Sequence, residues 1–100
     1  MKSNRVFLLK EEFIAELAEA LSWYKEKGEQ VERDLYNDAH TVLKHIELHP
    51  ESFSVIQKNY RQAVLHQFPY VIVYKIYRTE ISVYALFHTA RNPKRKIRKK

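Results

Sequence analysis

His45 and His49 stand four residues apart, a spacing that puts two imidazoles on one helical face within reach of a single metal ion. No acidic ligand pattern accompanies them, and His49 adjoins Pro50, so both are read as surface or C-terminal capping residues. His88 closes an apolar run just before the basic C-terminus. With an ordinary imidazole pKa of about 6.5 it can serve as acid or base, and a structural hydrogen bond is the equal alternative. Arg61 opens one apolar run and Arg91 follows another, beside Asn92-Pro93, which makes them the sequence's candidates for contact with an anionic partner. Most of the seven tyrosines fall in strand or helix patterns as packing residues; Tyr74 and Tyr84 are able to face a ligand, but nothing in the sequence selects them. Trp23 lies on the flank of a helix among its acids, where closing the mouth of a hairpin is favoured over contacting a partner. With no cysteine, the chain has neither a disulfide framework nor a thiolate metal site, and it suits a reducing compartment. The reading assigns no metal and no cofactor.

Charge is divided along the chain. The last ten residues carry seven bases and no acid, so the formal +6 belongs to the tail; residues 1–90 hold 11 bases against 12 acids. Lys10 to Glu51 is net −6 and Ser52 to Ala90 net +3, which predicts an acidic half facing a basic half and tail. The tail is read either as a solvated run that binds polyanions weakly or as a functional contact.

The elements that must position these groups follow from periodicity. Tyr60–Leu65, Tyr70–Tyr77 and Ile81–His88 are rich in β-branched and aromatic residues and separated by breaks of three or four, the pattern of an antiparallel meander. In the second run Tyr70, Ile72, Tyr74 and Ile76 alternate with Val71, Val73, Lys75 and Tyr77, so apolar groups line both faces and the run is the middle strand. Pro69, with no amide hydrogen, fits the start of that strand. Arg5–Leu9 predicts an edge strand. From Glu11 the period turns helical, with Phe13, Leu17, Ala20 and Tyr24 in one stripe, Ile14 and Leu21 at its margins, and Glu12, Glu16, Glu19 and Glu26 away from it. A second helix starts near Glu29 with Val31, Leu35, Ala39, Val42 and Ile46 inward, forms an antiparallel hairpin with the first over Gly28, and stops before Pro50. Ser52–Asn59 is the least legible stretch and is read as leading into the sheet. In a meander the starts of the two outer strands lie together, so Arg61 and His88 need not meet.

These elements predict an α+β fold in the order β-α-α-β-β-β, one domain over residues 1–93 with a basic tail over 94–100. The apolar runs are too short for a spanning helix or a signal peptide, which predicts no membrane association.

Trp23-Tyr24 late in the first helix, Ile46 to Pro50 closing the second, Tyr60-Arg61, Phe68-Pro69-Tyr70-Val71-Ile72-Val73-Tyr74 and Ala85-Leu86-Phe87-His88-Thr89-Ala90-Arg91-Asn92-Pro93, taken with the element order, resemble the RelE/ParE toxin superfamily. The likeness covers nearly the whole chain, and its most specific parts are the Phe-Pro-Tyr strand and the His-x-x-Arg-x-Pro ending. It implies a small cytoplasmic toxin of a type II toxin-antitoxin pair, of the kind that stabilises plasmids, held inactive by a cognate antitoxin whose C-terminal segment wraps it.

The two branches of that superfamily differ in target. RelE-like members cut messenger RNA in the ribosome with basic side chains on the sheet; ParE-like members poison DNA gyrase. A RelE-like site has an arginine early in the middle strand, where this sequence has Val71, and a ribonuclease without it lacks a charge-stabilising contact worth several kcal/mol, on the order of a lost oxyanion donor. The resemblance therefore favours the ParE-like branch, with Arg61, Arg91, Lys94, Arg95 and Lys96 as residues that bind target or antitoxin. The alternatives are a ribosome-dependent endoribonuclease working through Arg61, His88 and Arg91, and a nucleic-acid-binding module acting through the tail.

Overall fold

The computed structural model describes residues 4–90. Strand β1 (Val6–Leu9) leads directly into helix α1 (Glu11–Lys25), whose first turn carries Glu11 and Glu12 at the positive end of the helix dipole. The Lys10 amide donates to the Val83 carbonyl (2.9 Å), so the last ladder bond of β1 doubles as the helix start. Helix α2 (Glu29–Leu48) follows over Gly28, whose φ of 147° lies where a side chain is strained; only a glycine turns the hairpin there without cost. The hairpin predicted from the two stripes is the one observed.

Strands β2 (Ser54–Val55), β3 (Tyr60–Val64), β4 (Tyr70–Ile76) and β5 (Glu80–His88) complete a five-stranded sheet in the order β1-β5-β4-β3-β2. β1 pairs in parallel with β5 and every other pair is antiparallel. β4 is the middle strand, as its two apolar faces require, and it begins at Tyr70 after Pro69. The predicted three-strand meander gains a strand. The chain leaves α2 through a 3-10 turn (Pro50–Ser52), and Ser52–Asn59 then forms β2 and a tight turn in which Lys58 and Asn59 take φ values of 52° and 67°. The Tyr60 amide closes that turn on the Gln57 carbonyl (2.9 Å), the backbone of a two-residue hairpin loop without the usual glycine.

Both helices cover one face of the sheet. Phe13, Leu35, Val42 and Ile46 meet Ala63, Ile72, Tyr74, Ile81 and Val83 in a core where each is at most 1% exposed. Leu17, Leu21 and Tyr24 pack at its border, whereas Ile14 is half exposed. Truncating Phe13, Leu35 or Ile72 to alanine costs about 2–5 kcal/mol. The opposite face carries a smaller cluster of Val71, Val73 and Phe87 with Ile56, Tyr60 and Ala85. A register shift between Val73 and Tyr74 leaves Tyr84 unpaired in β5, a bulge that turns Tyr84 and Ala85 toward this outer face.

Two acids depart from the helical stripes as predicted. Asp38, next to Ala39 on the inner face of α2, is 5% exposed; its Oδ1 accepts from the His66 amide (3.0 Å) and its Oδ2 from Gln67 (2.7 Å) and Phe68 (3.2 Å). It holds the β3–β4 loop so that Pro69 enters β4 correctly placed. Glu16 was expected away from the stripe, yet its Oε1 accepts from the Leu86 amide (2.7 Å). β1 pairs with β5 only as far as Val83, so the later amides on that edge of β5 lack a strand, and α1 supplies a carboxylate instead.

Candidate functional site

Arg61 stands opposite Tyr74 in the β3–β4 ladder, and Tyr74 belongs to the helix-side core, so the Arg61 side chain also leaves the sheet toward the helices. Its Nη1 donates to the Phe53 carbonyl (2.7 Å) and, at 3.4 Å, to that of Glu51. The expected exposed cation is therefore a half-buried clamp on the segment between α2 and β2.

His88 pairs with Tyr70 at the other end of β4, with the two rings edge to face at 5.1 Å. Its Nδ1 accepts from the Ala90 amide (3.2 Å), a strand-end hydrogen bond that turns the chain after β5. Tyr70 and Tyr74 are four residue steps apart, which puts the partners of His88 and Arg61 about 13 Å apart along β4. The two do not converge. Arg91, Lys94, Arg95 and Lys96 lie outside the described residues.

Tyr74 and Tyr84 have different fates. Tyr74 is fully buried, its hydroxyl donates to the Pro50 carbonyl (2.6 Å), and burial raises its pKa well above the ordinary phenol value, with the Arg61 charge opposing. Tyr84 is on the outer face. Its ring meets that of Tyr60 edge to face at 5.7 Å, and its hydroxyl lies 2.7 Å from that of Tyr77. The shared hydrogen bond, helped by partial burial and nearby negative charge, pushes the Tyr77 pKa up to about 12. Lys75 Nζ sits 5.0 Å from the Tyr60 ring and 5.4 Å from the Tyr77 ring. The alternation of residues 70–77 already puts Lys75 and Tyr77 on one face, but the bulge that adds Tyr84 is invisible in the strand pattern.

The remaining candidates are structural. His45 and His49 touch edge to face at 5.5 Å, with Phe53 packed on His45 at 5.0 Å, and the His49 amide caps α2 through the His45 carbonyl. No group of three or more His, Asp or Glu side chains converges as a metal site among the described residues. Trp23, 44% exposed, packs its ring on Tyr24 at 4.8 Å and takes Lys27 Nζ over its face at 4.4 Å. A recess of about 210 Å³ lined by Asp34, Asn37, Asp38, Thr41, His66 and Gln67 lies between α2 and the β3–β4 loop, and both oxygens of the Asp38 carboxylate are already committed to backbone amides there.

A strand, a helical hairpin and a largely antiparallel sheet in this order form the α+β arrangement expected of the RelE/ParE superfamily. The family described as the ParE toxin of the type II toxin-antitoxin system, parDE, matches residues 7–93, and the chain belongs to it. A solved structure titled "Chromosomal ParDE TA system from P. aeruginosa" has the same fold, with a TM-score of 0.75 at 12% identity over 85% of this chain and 96% of that one. No curated protein matches the sequence. No helix among the described residues is long and apolar enough to cross a membrane.

Proposed function

We propose that this chain is the toxin of a cytoplasmic type II toxin-antitoxin pair, that it acts by inhibiting DNA gyrase, and that a cognate antitoxin silences it by lying along the sheet side. The observation that carries the target is the position of Arg61. Its guanidinium is spent on the carbonyls of Phe53 and Glu51, on the helix side of the sheet and at the opposite end of β4 from His88. Val71, where a RelE-like site has its arginine, is a packed residue of the outer cluster. A phosphate-cradling set needs several preorganised charges aimed at one oxygen cluster, and Arg61 and His88 do not supply it. The solved relative is titled as a ParDE system, which supports an antitoxin partner for this chain.

Induced expression without a partner arrests growth, with filamentous cells and DNA damage. The decisive experiment places a gyrase supercoiling assay beside mapping of cleaved transcripts in the arrested cells. Inhibition of supercoiling with intact transcripts supports the proposal; codon-spaced cleavage with normal supercoiling overturns it and returns the endoribonuclease. Normal growth at high soluble expression counts against toxicity altogether. The resemblance implies that Arg91 contacts target or antitoxin, so Arg91→Ala is expected to lower toxicity while leaving the melting temperature unchanged.

A further inference from the structure

Lys75 projects from the middle strand on the face turned away from the helices, half-buried, with its ammonium held against the rings of Tyr60 and Tyr77. Tyr60 of β3 and Tyr77, just past the end of β4, flank the cation, and Tyr84 from the bulge of β5 joins them through the Tyr60 ring and the Tyr77 hydroxyl. Lys75 has no carboxylate partner among the described residues. The acid closest to it in the ladder, Glu80, accepts instead from the Ser82 hydroxyl. An ammonium partly removed from water without a counter-ion is an energetic debt that a partner's anion can settle.

The hydroxyl pair adds a second donor. One of Tyr77 and Tyr84 donates to the other across 2.7 Å, and the acceptor of that bond keeps its own hydrogen free to give outward. A carboxylate has two oxygens, one for the ammonium and one for this phenol. The rings of Tyr60 and Tyr77 cover part of the ammonium's surface. A nucleic-acid backbone asks for something else, a track of spaced cations. Among the described residues of the outer face of β3, β4 and β5, Lys75 is the one cation within a strand; the others there are apolar, aromatic, amide or hydroxyl, apart from Glu80.

We propose that Lys75, Tyr60, Tyr77 and Tyr84 form a carboxylate-receiving subsite, occupied by an acidic side chain of the antitoxin's extended segment with an apolar neighbour against the tyrosine rings. The proposal rests on the toxin-antitoxin reading given above and assigns it a contact. The subsite anchors the bound segment, so its loss speeds dissociation more than it slows encounter.

The test uses the toxin and the small protein encoded beside its gene, purified separately, with association and dissociation measured across a salt series. Lys75→Gln is expected to weaken the complex about tenfold to hundredfold, the range of a charge-assisted hydrogen bond, mainly through faster dissociation. Lys75→Arg should recover most of that loss, and Tyr84→Phe should lose less than Lys75→Gln. In the wild-type toxin, Lys75 should be protected from amine-reactive labelling when the antitoxin is added, a readout that needs no variant to fold. Equal kinetics for wild type and Lys75→Gln, or labelling of Lys75 unchanged by antitoxin, overturns the subsite while the toxin-antitoxin pair stands. Failure of the neighbouring protein to bind wild-type toxin overturns the reading beneath it. If Lys75→Gln keeps antitoxin binding but loses a 12-nucleotide single-stranded RNA probe, the cluster is a nucleic-acid contact and the proposal is wrong.

Discussion

Arg61 and Tyr74 stand opposite each other in neighbouring strands and both reach the same short segment: the Tyr74 hydroxyl donates to the Pro50 carbonyl at 2.6 Å and Arg61 Nη1 to the Phe53 carbonyl at 2.7 Å. Together they fasten the exit of α2 to the centre of the sheet. The α2 C-terminus thus owes its position to two side chains that a strand pattern presents as ordinary sheet residues.

Tyr74→Phe leaves a buried carbonyl at Pro50 without its donor, at a cost of about 1–3 kcal/mol. Arg61→Ala leaves the Phe53 carbonyl without its charged donor and is expected to cost about 1–2 kcal/mol. Chemical denaturation measures both, and because the two share one segment their effects should fall short of additive. Full stability of Arg61→Ala would return Arg61 to the exposed functional surface on which the sequence placed it.

Alkaline stability follows from the tyrosines. A phenol whose folded pKa is raised holds its proton more tightly in the native state, so its contribution is complete below the unfolded value of about 10 and is lost as pH climbs through the folded one. Tyr77 at about 12 therefore predicts falling stability between pH 10 and 12, and buried Tyr74, also raised, adds to the same slope. Tyr84→Phe removes the main cause of the Tyr77 shift, and urea midpoints across this range should fall less steeply for that variant.

Asp38→Ala strips three backbone amides of their acceptor in one step and should destabilise the protein by about 2–4 kcal/mol. Hydrogen exchange at His66, Gln67 and Phe68 should accelerate more than exchange within β4, since the loop is released before the sheet. Asp38→Asn retains one acceptor oxygen and is expected to lose less.

Removal of residues 94–100 takes away six of the seven bases at the C-terminus. Long-range charge steers encounter more than it fixes affinity, so antitoxin association should slow and its salt dependence flatten while dissociation changes little. A truncation that chiefly speeds dissociation would place the tail inside the ordered interface. That outcome would make the tail behave as Lys75 is expected to, since loss of Lys75 is expected to act on dissociation.

The sequence determined the elements whose signals are repeated along one segment. β4 shows apolar groups on both faces, as expected of a strand paired on both edges, and it is the centre of the sheet. The stripes of α1 and α2, the turn at Gly28 and the stop before Pro50 were legible because each rests on local geometry. Tertiary structure decided the rest. β2 has two residues, too few for a period, and its hairpin turns on Lys58 and Asn59 at positive φ without a glycine to announce it. Glu16, Asp38 and Arg61 acquired their roles because pairing of the strands left particular amides and carbonyls without partners, and which ones those are depends on the register of distant segments. The separation of Arg61 from His88 along β4, and the gathering of Tyr60, Lys75, Tyr77 and Tyr84 around one bulge, are likewise products of pairing between strands and not of any one strand's own residues.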